Sequence, residues 1–307
     1  MARVVFLGTP HFAVPVLEHL IADAYELVVV TQPERPRGRG QAVGQTPVES
    51  VALAHGLTVL QPESVNTPAF LAQLREFDPE VGALAAFGQY LGRQMLQIPP
   101  RGYLNVHPSL LPRHRGASPM AAAILAGDAE TGATVILLNE ELDAGPIIGQ
   151  ERCAIQADDT AGTLEARLSK MGAELLSRLL PLWLTRVVTL QPQDDTLATF
   201  ATRIDKEDGR VDWTFPAETL WRQARAYDPW PGLFAFVGDQ RIRLWRVRPL
   251  IEWRGNERPG TVLSSDNELV VATGQGALAL DEVQLAGKKR VSGIDFRRGQ
   301  RDLVRFS

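Results

Sequence analysis

Short apolar runs alternate with segments of helical period through the first half of the chain. Arg3–Gly8 (RVVFLG) reads as a strand, His11–Ala22 as the helix after it, and Glu26–Thr31 (ELVVVT) as a second strand. Pro47–Gly56 is helical, with proline near its start and glycine at its end, the usual asymmetry of helix termini. Pro68–Phe77 precedes the strand-like Glu80–Gly88. The strand Tyr103–His107, the helical Met120–Asp128 and the strand Ala133–Asn139 follow. Strands that are apolar on both faces and alternate with helices predict an α/β domain, with a mostly parallel sheet covered on both sides.

A long amphipathic helix closes this part. Leu164, Leu168, Met171, Leu175 and Leu179 recur every three or four residues, and Asp158, Asp159 or Thr160 can cap its start. A polar connector follows, and the expected organisation is a domain over 1–186, a linker over 187–203 and a second domain over 204–307. The second domain opens with a short helix, Pro216–Tyr227, and continues in short β-like runs punctuated by glycine. In QRIRLWRVR, Ile242 and Leu244 are in phase while Trp245 and Val247 are out of it. One extra residue near Leu244 and Trp245, a β-bulge, restores the alternation and puts Arg241, Arg243, Arg246 and Arg248 on one polar face. Several short strands with a bulge predict a small β-barrel, with Trp213, Trp221, Trp230, Trp245 and Trp253 in its core.

Composition sharpens this picture in three ways. At 307 residues, 45% hydrophobic and 22% charged, the chain has the make-up of a globular protein with a substantial core. The net charge of −4 gives no overall pull on nucleic acid, but its distribution is uneven: residues 1–203 carry 15 basic against 21 acidic side chains, and residues 204–307 carry 17 against 15. Cys153 is the only cysteine, the five histidines are dispersed, and no carboxylate cluster has ligand spacing, so neither a disulfide nor a metal site is expected. The apolar run after Met1 is broken by Gly8 and Pro10, too short for a signal peptide or a membrane span, which predicts a soluble, cytoplasmic protein.

The first strand-to-helix turn, VVFLGTPHF, stands where a dinucleotide-binding domain would put its phosphate loop. It lacks the G-x-G-x-x-G spacing, since Thr9, Pro10 and His11 fill the places of the glycines. A tight turn is the simpler reading, with His11 at the helix start.

Candidate chemistry lies in Tyr103–Pro119 (YLNVHPSLLPRHRGASP). Residues two apart on a strand share a face, so Tyr103, Asn105 and His107 point one way and Leu104 and Val106 the other. Pro108 ends the strand, leaving Asn105 and His107 at its carboxyl end, where open α/β sheets bind ligands. An amide donor beside an imidazole suits acyl transfer, in which a carbonyl oxygen gains negative charge while a proton moves. The bland alternative is that His107 hydrogen-bonds a loop carbonyl and Asn105 caps a turn. Asp143, in NEELDAGPII, falls in a loop at the same side of the sheet, between apolar Leu142 and the apolar run after Pro146. It is either an Asx-turn former or a carboxylate that orients the His107 ring.

The pattern N-x-H-P-S-L-L-P-x-x-R-G, running from Asn105 to Gly116 and followed by Leu142-Asp143-Ala144-Gly145, resembles the 10-formyltetrahydrofolate-dependent formyltransferase family. FLGTPHFAVPVLEHL, TQPERPRGRG, AAFGQYL, AGDAETGATV, KEDGRVDW, DPWP and AGKK extend the likeness to the branch acting on methionyl-tRNA, over nearly the whole chain. The resemblance implies a Rossmann-like domain followed by a smaller oligonucleotide-binding-type barrel. It implies formyl transfer from 10-formyltetrahydrofolate to the α-amino group of methionyl initiator tRNA, without a metal, by a monomer. Asn105, His107 and Asp143 would be catalytic. Ser109, Leu110, Leu111 and Pro112, with Phe87, Gly88, Gln89, Tyr90 and Leu91, would hold the folate, although Leu110 and Leu111 read equally well as core. His114 stands where relatives carry Tyr or Trp, and altered packing is expected there.

Arg35, Arg37 and Arg39 lie among glycines with Glu34 as the one acid nearby. Such a loop is either solvated or fitted to phosphates and unpaired bases. The resemblance favours tRNA contact there and at Lys206, with Lys288, Lys289, Arg290 and the Arg241–Arg248 face as further phosphate contacts. A formyltransferase acting on a nucleotide-linked amino sugar would share the catalytic trio, and a silent tRNA-binding module would not need it.

Overall fold

The structure, a computed structural model, describes residues 1–34, 44–265, 267–300 and 302–307. Arg35, Arg37 and Arg39 lie outside the described residues. The chain forms two compact units that interleave along the sequence. One comprises Met1–Pro119, Glu130–Ala154 and Glu165–Ala201; the other comprises Met120–Ala129, Ile155–Leu164 and Thr202–Ser307.

The first unit is built on strands β1 (Arg3–Gly8), β2 (Glu26–Val30), β3 (Thr58–Leu60), β4 (Val81–Ala85), β5 (Tyr103–His107), β6 (Arg115–Gly116), β7 (Glu130–Leu137), β8 (Ile147–Ala154) and β9 (Phe200–Ala201). Seven of these make one sheet in the order β3-β2-β1-β4-β5-β7-β8, and β6 pairs with β9 alone. Pairing is parallel from β3 through β5, then antiparallel at β5–β7 and β7–β8. The runs of β1, β4 and β5 are buried almost throughout, as strands covered on both faces must be.

Helices α1 (Val14–Ala22), α2 (Pro47–Ala54), α3 (Pro68–Phe77) and the short α4 (Arg93–Leu96) follow the local signals. The α2 start is a full capping box: Thr46 accepts from the Glu49 amide at 3.1 Å while Glu49 accepts from the Thr46 amide at 3.1 Å. Thr67 caps α3 ahead of Pro68. Further along are α5 (Pro119–Ala126) and the 24-residue α6 (Ala161–Leu184). Gly172 of α6 meets Val106 of β5 so closely that a Cβ there would collide with the valine side chain. Val106 is thus held from behind, and Asn105 and His107 face the other way, as the two-residue period requires.

The second unit holds a wholly antiparallel, curled sheet of β10 (Phe234–Val237), β11 (Gln240–Leu250), β12 (Val270–Ala272), β13 (Ala277–Leu285) and β14 (Val291–Ser292). Helices α7 (Ala217–Ala226) and α8 (Gly293–Gly299) complete it. Its core joins Leu220, Leu233, Ile242, Leu244, Leu280 and Val283. The register of β11 on β13 slips between Leu244 and Val247, which is the expected bulge. Ile242, Leu244 and Val247 are buried while Arg246 and Arg248 are exposed.

The tryptophans divide, against the expectation of a common core. Trp213 is buried, and Trp221 and Trp253 are partly buried against apolar clusters. Trp230 is 57% exposed in the Asp228–Pro231 turn, where no strand pairs to cover it. The bulge sends Trp245 to the arginine side, where Arg243 lies 3.5 Å and Arg290 4.7 Å from its ring centroid.

Candidate active site

Three side chains that sequence reasoning grouped do meet. Asn105 and His107 sit at the carboxyl end of β5, 6% and 4% exposed, and the Asp143 side chain is 12% exposed in the β7–β8 loop. Asp143 Oδ2 lies 3.6 Å from His107 Nδ1, and Asp143 Oδ1 lies 3.5 Å from Asn105 Nδ2. Low exposure strengthens every charge interaction among them.

The other ring nitrogen of His107 is engaged as well: Nε2 is 2.9 Å from the His114 carbonyl. A carbonyl only accepts, so Nε2 carries the hydrogen of the neutral ring and Nδ1 is left as its lone-pair nitrogen. The loop-carbonyl bond weighed as the bland alternative therefore exists. It fixes the tautomer and aims Nδ1 at the Asp143 carboxylate.

The chain around this trio is held by residues that sequence reasoning left unassigned. Gly116, with φ +115°, donates its N–H to Asp143 Oδ2 at 2.8 Å. β6 pairs in parallel with β9, and a Cβ on Gly116 would stand 2.5 Å from the Ala201 carbonyl oxygen. His114 donates its amide N–H to Thr199 Oγ1 at 2.8 Å. Gln193 donates to the carbonyls of Asp143 and Gly145, and Arg115, 5% exposed, binds Gln193 and Asp195. Arg115 and Gly116 belong to the motif quoted above. Nothing in a polar connector marked Gln193 or Thr199.

The residues expected around the folate fall into two groups. Phe87 and Leu91 are buried in the core cluster that includes Val5, Leu7 and Tyr103. Leu111 packs with Ile136 and Ile147. By contrast, Tyr90 is 64% exposed and its hydroxyl donates to the Glu140 carbonyl at 3.3 Å, joining the 87–91 loop to the Asp143 loop. Gln89 ties that same loop to Val65 and to the Pro62 carbonyl, and Gly88 turns it with φ +88°. The Ser109 carbonyl accepts from Thr134 Oγ1 at 2.6 Å, and Thr134 Oγ1 accepts from the Leu111 amide at 3.2 Å. Leu110 is half-buried beside Gly132, and the Leu111–Pro112 peptide is cis.

Lys206, Lys288, Lys289 and Arg290 all belong to the second unit. Lys206 opens a 3-10 turn capped by Asp205. Lys288 and Lys289 are exposed in the β13–β14 turn. Arg290 is ion-paired to Glu282. No group of three or more metal-ligating side chains occurs among the described residues, and no described helix is long and apolar enough to cross a membrane.

The chain belongs to the formyl transferase family. Its first part, residues 2–180, matches the formyl transferase domain and residues 203–301 match the formyl transferase C-terminal domain. It is a formyl-transferring enzyme, and its near relatives are methionyl-tRNA formyltransferases. The one from Herpetosiphon aurantiacus is 45% identical over 98% of this chain and 99% of its own. The one from Roseiflexus castenholzii is 46% identical over 97% and 96%. Among solved structures, the N-formyltransferase of Helicobacter canadensis in complex with folinic acid and dTDP-3-aminofucose shares the fold, with TM-score 0.67 and 15% identity over 91% of this chain and 99% of that one.

Proposed function

We propose that this enzyme transfers a formyl group from N10 of 10-formyltetrahydrofolate to the α-amino group of methionyl initiator tRNA, with Asn105, His107 and Asp143 as catalytic residues. The observation that carries the reading is the placing of one carboxylate, that of Asp143, 3.6 Å from the His107 imidazole and 3.5 Å from the Asn105 amide at the carboxyl end of β5. The amine nitrogen attacks the formyl carbon, forming the new C–N bond, and the carbonyl oxygen becomes an oxyanion. An amide has two N–H groups; with one of Asn105 turned to Asp143, the other serves the oxyanion. His107 Nδ1 and Asp143 take the proton that the attacking amine sheds. It passes to the leaving N10 as the bond from N10 to the formyl carbon breaks. The 3.6 Å separation from Nδ1 to Oδ2 exceeds a hydrogen bond, which suits a proton carried through water or through closure on substrate.

The donor would lie against Ser109–Pro112 and the Phe87–Leu91 loop. Leu110 and Tyr90 offer accessible side chains, while Phe87, Leu91 and Leu111 shape the wall from behind. For the tRNA, Lys206, Lys288 and Lys289 are the basic side chains offered among the described residues, together with Arg35, Arg37 and Arg39 of the glycine-rich sequence outside them. Arg290 is a weaker candidate because Glu282 already neutralises it. The organisation into a catalytic domain, a linker over 187–203 and a tRNA-binding domain, acting as a monomer in the cytoplasm, completes the proposal.

The test is formyl transfer from 10-formyltetrahydrofolate with methionyl initiator tRNA, methionyl elongator tRNA and a UDP-linked amino sugar as separate acceptors. Transfer to the charged initiator alone is the expected result. Transfer to the sugar would keep the trio and remove the tRNA assignment. Binding of tRNA without consumption of folate would remove the enzymatic reading.

A further inference from the structure

The Asp143 carboxylate stands on a loop, so its height above His107 is not set by the sheet. Asp143 itself has φ +50°, a conformation that aspartate tolerates and that the loop must be held in. Two loop carbonyls, those of Asp143 and Gly145, accept hydrogen bonds from one atom, Gln193 Nε2, at 2.8 and 2.7 Å. Both hydrogens of that amide nitrogen are then in use. At the other end of the amide, Gln193 Oε1 accepts from Arg115 Nε at 3.0 Å and from Arg115 Nη2 at 2.8 Å. Arg115 Nη2 also pairs with Asp195 at 2.7 Å.

Arg115 immediately precedes Gly116, whose N–H holds Asp143 Oδ2. One side chain therefore ties the backbone of the Asp143 loop to the strand that grips the Asp143 carboxylate. Only a primary amide can donate twice and accept twice in this place. Glutamate keeps the acceptors and loses the donors, and lysine does the reverse. A network satisfied at every member fixes one geometry.

We propose that Gln193 is a positioning residue for formyl transfer, a clamp that sets the Asp143 carboxylate against His107 and Asn105 and acts through Asp143 alone. The proposal rests on the reading of Asp143 as the group that handles the proton. It separates Gln193 from a residue that merely stabilises the connector, because a clamp has no role once Asp143 has no carboxylate.

The experiment is steady-state and single-turnover formyl transfer to methionyl initiator tRNA by Gln193→Met, Gln193→Glu, Asp143→Ala and the Gln193→Met/Asp143→Ala double variant, each with its thermal midpoint. Gln193→Met should lower kcat by roughly 10- to 100-fold, the scale of a misplaced catalytic group, with KM for both substrates little changed. Gln193→Glu keeps the bonds to Arg115 and should fare no better. In the Asp143→Ala background, Gln193→Met should cost less than about threefold, since residues acting as a unit are non-additive. Wild-type kcat in Gln193→Glu, or the full loss repeated in the Asp143→Ala background, would overturn the clamp while leaving Asp143 in its role. Wild-type kcat in Asp143→Ala would instead remove the role of Asp143 on which the clamp depends.

Discussion

Asp143 Oδ2 accepts the backbone N–H of Gly116 at 2.8 Å while standing 3.6 Å from His107 Nδ1. One carboxylate oxygen is thus fixed by a peptide group and presented to an imidazole. The peptide group is free to do this because Gly116 adopts φ +115° and lies 2.5 Å, measured from an ideal Cβ, from the Ala201 carbonyl.

Gly116→Ala should therefore strain the β6–β9 pairing and shift the N–H that Asp143 needs. The expected cost is about 1–3 kcal/mol of stability, together with a fall in kcat larger than any change in KM. Denaturant unfolding and steady-state kinetics measure the two. A fully active, fully stable alanine variant would mean that the donor to Asp143 is dispensable.

Asn105 and His107 should separate chemistry from binding. Asn105→Ala removes the proposed oxyanion donor and should lower kcat by about 10²–10³. His107→Ala removes the proposed proton carrier and should lower it by roughly 10²–10⁴. Neither should weaken tRNA binding, which filter binding or fluorescence titration reports. Loss of tRNA affinity in step with rate would reassign both residues to the acceptor site.

Tyr103 carries a phenol whose oxygen is buried without a hydrogen-bond partner among the described residues. Burial alone pushes its ionisation well above the ordinary value near 10. Below pH 10 the phenol is neutral in folded and unfolded chains alike, so the raised value has no effect. Above it the unfolded phenol ionises and the folded one does not, so wild-type stability falls as pH rises beyond 10. Tyr103→Phe should be more stable by about 1 kcal/mol at neutral pH, with a gap that widens above pH 10. Thermal unfolding at pH 7 and pH 10.5 checks both parts; a destabilised phenylalanine variant would show that the hydroxyl has a partner in solution.

The basic turn of the second unit gives a salt-dependent prediction. Lys288 and Lys289 are exposed, whereas Arg290 is paired with Glu282 and stacked by Trp245. Lys288→Ala and Lys289→Ala should each lower the slope of log affinity for tRNA against log salt by about one, as loss of a phosphate contact does. Arg290→Ala should change it less. Equal slopes in all three variants and the wild type would place the tRNA elsewhere on the protein.

Wherever neighbouring residues decide the outcome, the sequence alone was sufficient. Buried runs such as Val4–Leu7 and Val81–Ala85 can only be central strands, and Pro47 with Gly56 brackets a helix. The two-residue period put Asn105 and His107 on one face, and Pro108 put them at the strand end. The slipped alternation around Leu244 announced the bulge. Local sterics and hydrophobic phase fix each of these.

The tertiary structure decided what joins residues distant in the chain. Gly116 and Asp143 are 27 residues apart, Asp143 and Gln193 50, and Arg115 and Gln193 78. Sequence period carries no information on such pairs, because a glutamine in a polar connector looks the same whether it is solvated or clamps a loop. Nor could apolar residues be sorted: Phe87 and Leu111 went to the core, and Tyr90 stayed exposed. Trp230 and Trp245 left the core for the same reason, since burial depends on what packs opposite and hydrophobicity alone does not name the neighbour.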